Sequence, residues 1–347
     1  MRRLALVGLA GWVGLWLVAA GASAYSADGD ALAQLTRALA AAEEKEGATS
    51  PYLLPVIEEI AQLRQRHGEL GEAAALRRRA LDIAVTRFGS DSPSAAEAMV
   101  ALAQIAIDRR RYLDADPLLI IAESVLSERV AADHPAMAAI FTGLARIALA
   151  RGESAEAAAS AERAVAIARR NPHGRSTEPW RALGAALASE ERFSKARHVL
   201  GEALAQDREH HGPDSLDTAR SLAQLANIEL RAHRFAEALP LIQEALAIDQ
   251  ARLGPAHPFI ADDLFDLGLV YDGLKRAGDA RKAFSAAINL LERGAGRDTP
   301  RVAYVELELA RLDRQAGKEA EADAASADAR RILNKAEAEE HKRERRV

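Results

Sequence analysis

The feature that most restricts what this chain can fold into is a set of alanines at a fixed interval. Ala73 is followed 42 residues on by Ala115, and 42 further on by Ala157. A step of 39 reaches Ala196, and steps of 42 then reach Ala238, Ala280 and Ala322. Seven residues after each of these anchors stands another alanine: Ala80, Ala122, Ala164, Ala203, Ala245, Ala287 and Ala329. Thirteen residues before each anchor the chain has Ile60, Leu102, Leu144, Leu183, Leu225, Leu267 and Leu309, and the next position is always Ala or Gly. Ten residues after each anchor come Ile83, Val125, Ile167, Gln206, Ile248, Leu290 and Ile332, with Gln206 the one polar exception. A period of this length marks supersecondary units that cannot bury their apolar faces alone and must stack on their neighbours.

Each unit reads as two helices. In the fifth, residues 217 to 232 carry Leu222, Leu225, Ala226 and Glu229, His233-Arg234-Phe235 makes the turn, and residues 236 to 253 carry Ala238, Leu241, Ile242, Ala245 and Ile248. These are apolar stripes at helical spacing. Between units lie short segments such as Gly89-Ser90-Asp91-Ser92-Pro93, Asp133-His134-Pro135 and Gly254-Pro255-Ala256-His257-Pro258. There Gly ends one helix, a small polar residue or His caps the next, and Pro sits in the first turn. The small-residue columns let two helices approach closely, where a larger side chain would cost about 1–3 kcal/mol of overpacking. Only 4% of residues are aromatic, and β-branched runs are scarce, which argues against a large sheet.

The Leu-Ala/Gly pair, an anchor alanine twelve or thirteen residues later and a second alanine seven beyond it resemble the tetratricopeptide repeat. The 42-residue period, Leu264-Phe265-Asp266-Leu267-Gly268-Leu269-Val270-Tyr271 and Arg234-Phe235-Ala236-Glu237-Ala238-Leu239 look like its kinesin-light-chain subtype. The resemblance covers about residues 50 to 335 and is more specific for fold than for function. It implies an all-α, right-handed superhelical solenoid of about seven helix hairpins that binds proteins. Two departures stand out. The 39-residue step shortens the linker around 171–179, and Glu306, Asp313 and Ser326 of the last unit occupy positions that are apolar elsewhere. The latter suit a terminal cap facing water.

The ends differ from the repeats. Arg2 and Arg3, an uncharged apolar run from Leu4 to Ala20, and Ala22-Ser23-Ala24 follow the layout of a secretory signal with cleavage between Ala24 and Tyr25. The alternative is an uncleaved anchor in the membrane, for which this run is short. Ala31 and Ala38 lie 42 residues before Ala73 and Ala80, so residues 30 to 46 read as a lone second helix, a half-repeat cap within 25–49. Residues 336–347 read as a charged tail extending the last helix.

Composition narrows the function. The net charge is −5 with both signs interspersed and there is no cysteine. A nucleic-acid footprint, disulfides and thiolate metal sites are therefore not expected. No His-Glu-x-x-His, Gly-x-Ser-x-Gly or phosphate-binding glycine loop is present, so neither catalysis nor a cofactor is predicted. His210 and His211 lack an evident third metal ligand, and Arg77-Arg78-Arg79 and Arg109-Arg110-Arg111 read as solvated runs. The expectation is an exported, periplasmic or secreted scaffold for a protein or peptide segment. The alternatives are a membrane-tethered form and an enzyme subunit.

Helical geometry nominates a binding face. Positions two before and two after the Leu of each first helix point away from its buried stripe, and in the resembling family that face lines the concave groove. From these series, Arg146, Arg181, Asn227 and Arg311 are expected to offer hydrogen bonds and Phe265 and Leu269 an apolar seat. The competing reading makes them exposed residues or contacts between neighbouring first helices.

Overall fold

The computed structural model describes residues 30–171 and 174–344. The signal segment, its Ala24–Tyr25 cleavage site and the last three residues lie outside these. Among the described residues the fold is all-α, a superhelical repeat fold with no strand. A lone helix α1 (30–46) is followed by a short 3₁₀ turn at Pro51–Leu53. Seven helix pairs come next: α2 (Leu54–Arg66) with α3 (Leu70–Phe88), α4 (Pro93–Asp108) with α5 (Tyr112–Arg129), and α6 (Pro135–Arg151) with α7 (Ser154–Arg170). Then follow α8 (Glu178–Ser189) with α9 (Phe193–His210), α10 (Leu216–Arg231) with α11 (Phe235–Leu253), α12 (Pro258–Gly273) with α13 (Ala277–Ala295), and α14 (Pro300–Gln315) with α15 (Glu319–Glu344). The chain divides into two compact units, Ala22–Gln224 and Leu225–Val347, with the division falling inside α10.

The alanine columns are the contact surfaces. All seven anchors, Ala73 through Ala322, are fully buried. Where the first helix carries Gly, the bulk has moved across the interface. A Cβ placed on Gly184 would lie 2.6 Å from Cγ of Leu200, itself fully buried. In the Leu225–Val347 unit Gly268 faces Phe284 in the same way.

The hairpin turns share one device that the sequence shows at only three of them. Five residues before each anchor the backbone is left-handed: Gly68, Arg110, Gly152, Glu191, His233, Lys275 and Gly317, with φ between 57° and 79°. The next residue's N–H bonds back five positions, as in Arg111 to Ala106 O at 2.8 Å and Arg234 to Glu229 O at 2.7 Å. This is the Schellman closure, which satisfies carbonyls orphaned at the end of the first helix. Three turns place glycine there, and the other four hold an ordinary L-residue in a conformation that costs about 1–2 kcal/mol. The first helices α4, α6, α12 and α14 start on side-chain caps followed by Pro. Ser92 Oγ accepts from Ala95 N–H at 3.2 Å, and His134 and His257 accept through Nδ1 from the N–H two residues on at 3.3 Å.

The last unit corrects an expectation. Glu306, Asp313 and Ser326 do not face water; all three are at most 9% exposed. Arg281 Nη2 donates to Asp313 at 2.5 Å, and Ser326 Oγ donates to its own helix at Ala322 O, 2.7 Å. Burial raises the Glu306 carboxyl above its ordinary pKa, although Arg297 lies 3.8 Å away and opposes this. The paired helices account for this: Arg281 of α13 reaches Asp313, and α15 packs along α14. Arg77 is a second correction. It is buried, donating to Ala101 O and Glu58 Oε1 at 2.8 Å each, whereas Arg78 beside it is exposed.

Candidate functional site

The first-helix residues nominated as a binding face fall into two groups, one in each unit. In Ala22–Gln224 they belong to a ladder of polar contacts running from one first helix to the next. Gln65 Nε2 of α2 donates to Asp108 Oδ2 of α4 at 2.6 Å, and Arg146 Nη2 of α6 donates to Asp108 Oδ1 at 2.8 Å. On α8, Arg181 Nη2 donates to Glu178 at 2.9 Å. Partial burial pushes the Glu178 carboxyl up, but Arg181, Arg146 and Arg220 outweigh it and hold the group down to about 2. Arg181 also reaches Asp217 of α10 at 3.4 Å.

Arg181 is where the structure overturns the expected role. Its side chain is 3% exposed and does not face a ligand. Arg181 Nη1 lies 3.2 Å from Oδ2 of Asp207, a carboxylate that is fully buried and also accepts from Thr177 Oγ1 at 2.6 Å and Ser221 Oγ at 2.5 Å. Four residues from α8, the segment before it, α9 and α10 thus form one buried cluster, in which Arg181 Nε is left without a partner. Burial lowers the guanidinium pKa, but Glu178, Asp207 and Asp217 reverse the shift and raise it overall.

Arg146 remains reachable, with its side chain 37% exposed. Its pairing with Asp108 uses one of five guanidinium N–H donors and leaves others for a second acceptor.

In Leu225–Val347 the pattern repeats with different partners. Asn227 of α10 donates to Asp266 of α12. Arg311 of α14 donates through Nη2 to Asp272 of α12 at 2.7 Å and through Nε to Glu308 at 2.8 Å, with 40% of its side chain exposed. Phe265 and Leu269 do not stand free. Both are half-buried against the core of this unit, and the Phe265 ring lies 5.8 Å from that of Phe284. They present an edge of the core rather than a projecting seat. Arg276 stacks over the Tyr271 ring at 4.5 Å beside them.

The acids of this ladder, Asp108, Glu178, Asp217 and Asp272, were not singled out in the sequence. A signal existed: Asp108 precedes Arg146 by 38 residues and Asp272 precedes Arg311 by 39, close to one repeat length. His210 and His211 are exposed, and His211 Nε2 lies 3.0 Å from Arg175 O. Among the described residues no group of three or more His, Cys, Asp or Glu is placed to hold a metal ion, and no helix is long and apolar enough to cross a membrane.

A tetratricopeptide repeat model matches residues 177–251 and 222–293. The fold is similar to that of BtubC (BKLC) from P. vanneervenii, with 20% identity and a TM-score of 0.50 over 70% of this chain and 92% of that one. It is also similar to apo RapI, with 15% identity and a TM-score of 0.50 over 69% and 99% of the two chains. A signal transduction ATPase with numerous domains and a tetratricopeptide repeat sensor, from Pyrococcus horikoshii, matches at 16% identity and a TM-score of 0.54 over 84% of this chain and 45% of that one. No curated protein matches in sequence.

Proposed function

We propose that these tetratricopeptide repeats serve as an exported scaffold in which the first-helix face of each unit holds an extended or helical segment of another protein. The observation that carries this reading is the half-exposed state of Arg146 and Arg311. Each is held in place by an acid from the preceding first helix, at 2.8 and 2.7 Å, while its side chain stays 37% or 40% exposed. A guanidinium already oriented by a protein carboxylate loses less side-chain freedom on meeting a second acceptor, which favours binding. In Leu225–Val347, the partly buried Phe265 and Leu269 supply apolar area that a partner side chain could cover. Arg181 is left out of this surface.

The test is to replace Arg146 and Arg311, singly and together, by Glu. Each variant, shown by circular dichroism to keep its helix content, is compared with the wild type for capture of proteins from the native compartment. The expected result is loss of a specific captured partner. Full retention of that partner by the double variant removes this face from the binding surface. Export rests on the layout of residues 1–24. Mass spectrometry of the mature N-terminus separates cleavage before Tyr25 from a retained anchor, which would make this a tethered scaffold.

A further inference from the structure

The buried cluster around Asp207 has a counterpart one repeat later, built with different chemistry. Adding 42 to Thr177, Arg181, Asp207 and Ser221 gives Ala219, Ala223, Asp249 and Asp263. The first carboxylate is kept. The guanidinium and the threonine hydroxyl give way to alanine, and the serine gives way to a second carboxyl. Another 42 residues on, the same four positions are Ala261, Phe265, Leu291 and Val305, wholly apolar. One structural position is therefore filled by a charge-balanced cluster, then by a pair of acids, then by hydrocarbon.

Asp249 on α11 and Asp263 on α12 are 8% and 6% exposed and stand at the positions where Asp207 and Ser221 meet at 2.5 Å one repeat earlier. Two carboxylates cannot hydrogen-bond without a proton between them, since an ionised carboxylate only accepts. Oδ2 of Asp263 is buried with no hydrogen-bond partner, which suits a neutral carboxyl better than a charged one. We propose that the α11–α12 seam is a proton-held joint, in which Asp249 and Asp263 share one proton and the seam loosens when that proton leaves.

The surroundings favour retention of the proton. Burial, then Asp249, Asp266 and Asp262, push Asp263 up to about 8. Its own helix also carries Asp266, which burial and Asp262 push up to about 7 against the hydrogen bond from Asn227 of α10. Glu229 of α10 is buried, 3.7 Å from Arg234. His257 caps the start of α12, and Arg301 of α14 pairs with Asp262 at its exposed edge. On its other side α12 meets the apolar Ala280, Phe284 and Ala287 of α13. A group whose folded pKa is raised binds more protons folded than unfolded, so stability falls as pH rises. Here the stabilisation is complete below the ordinary aspartate range near 3.8 and declines up to about 8.

Hydrogen exchange of the full mature chain, followed by mass spectrometry between pH 5.5 and 9 and corrected for intrinsic exchange rates, reads the joint directly. Protection of peptides from α11 and α12 is expected to drop by roughly tenfold or more across this range, since each unit of differential pKa traversed is worth about tenfold. Asp263→Ser, which copies Ser221, is expected to remove the part of that dependence above about pH 7, and Asp266→Asn to keep that part while removing some of the dependence below it. A pH-independent wild type overturns the proposal. So does a dependence above about pH 7 that survives Asp263→Ser or disappears in Asp266→Asn. Should Asp263→Ser fail to fold, Asp263→Asn, which keeps the shape and a donor, takes its place, and the wild-type profile still decides.

Discussion

Replacing Arg181 by Leu separates a structural arginine from a ligand-binding one. The side chain is 3% exposed and its neighbour Asp207 is not exposed at all, so its removal leaves a buried carboxylate without its cation. Breaking a buried pair in this way costs about 3–5 kcal/mol. Thr177 and Ser221 still donate to Asp207, which places the loss near the lower end, about 3 kcal/mol. Glu178 and Asp217 are 45% and 35% exposed and rehydrate, so they add little. For a unit of this size, about 2–4 °C per kcal/mol translates the loss into a drop of roughly 6–12 °C in melting temperature. Repeat arrays can unfold in parts, so hydrogen exchange of α8 to α10 should accompany the thermal melt and locate the loss. Exchanging both partners, Arg181→Met with Asp207→Leu, should recover most of the stability. Leucine already stands at the Asp207 register in Leu126 and Leu291, which are 0% and 5% exposed. A single variant that melts with the wild type but no longer binds a partner would refute this reasoning and return Arg181 to the binding face.

The left-handed turns offer a gain. Arg110→Gly, Glu191→Gly, His233→Gly and Lys275→Gly should each raise stability by about 0.5–1 kcal/mol, the left-handed cost relieved less the entropy of glycine. Urea unfolding measures it, and a loss at all four sites would show that these residues are not held left-handed. Ser92→Ala should lower stability by about 1 kcal/mol through loss of the N-cap, while His134→Asn should hold it, as thermal melts can check. Gly184→Val should cost about 1–3 kcal/mol against Leu200, and adding Leu200→Ala should return part of it. Failure of that rescue in urea titrations would mean that the two residues do not meet.

The architecture was legible because small residues recur where helices touch, and a close approach leaves few substitutes. Column residues Ala73 to Ala322 are buried as their spacing requires. The binding face was only partly legible. Helical phase correctly separated Arg146 and Arg311 from the buried stripe, and it also nominated Arg181, because a wheel describes one helix and not the helix that covers it. Asp207 and Ser221, 26 and 40 residues away, determine that Arg181 is inside. The same blindness affected Glu306 and Asp313, which are buried only because α13 and α15 pack on α14.

Period, hairpin count and the all-α class follow from local rules: apolar spacing, capping residues and the size limit at close contacts. None of these requires knowledge of distant neighbours. Which charges are buried, which arginines keep a free hand, and where two carboxyls must share a proton depend on residues 14 to 40 positions apart meeting at one point. The energy of a charge is set by everything around it, and that surrounding exists only once the repeats have stacked.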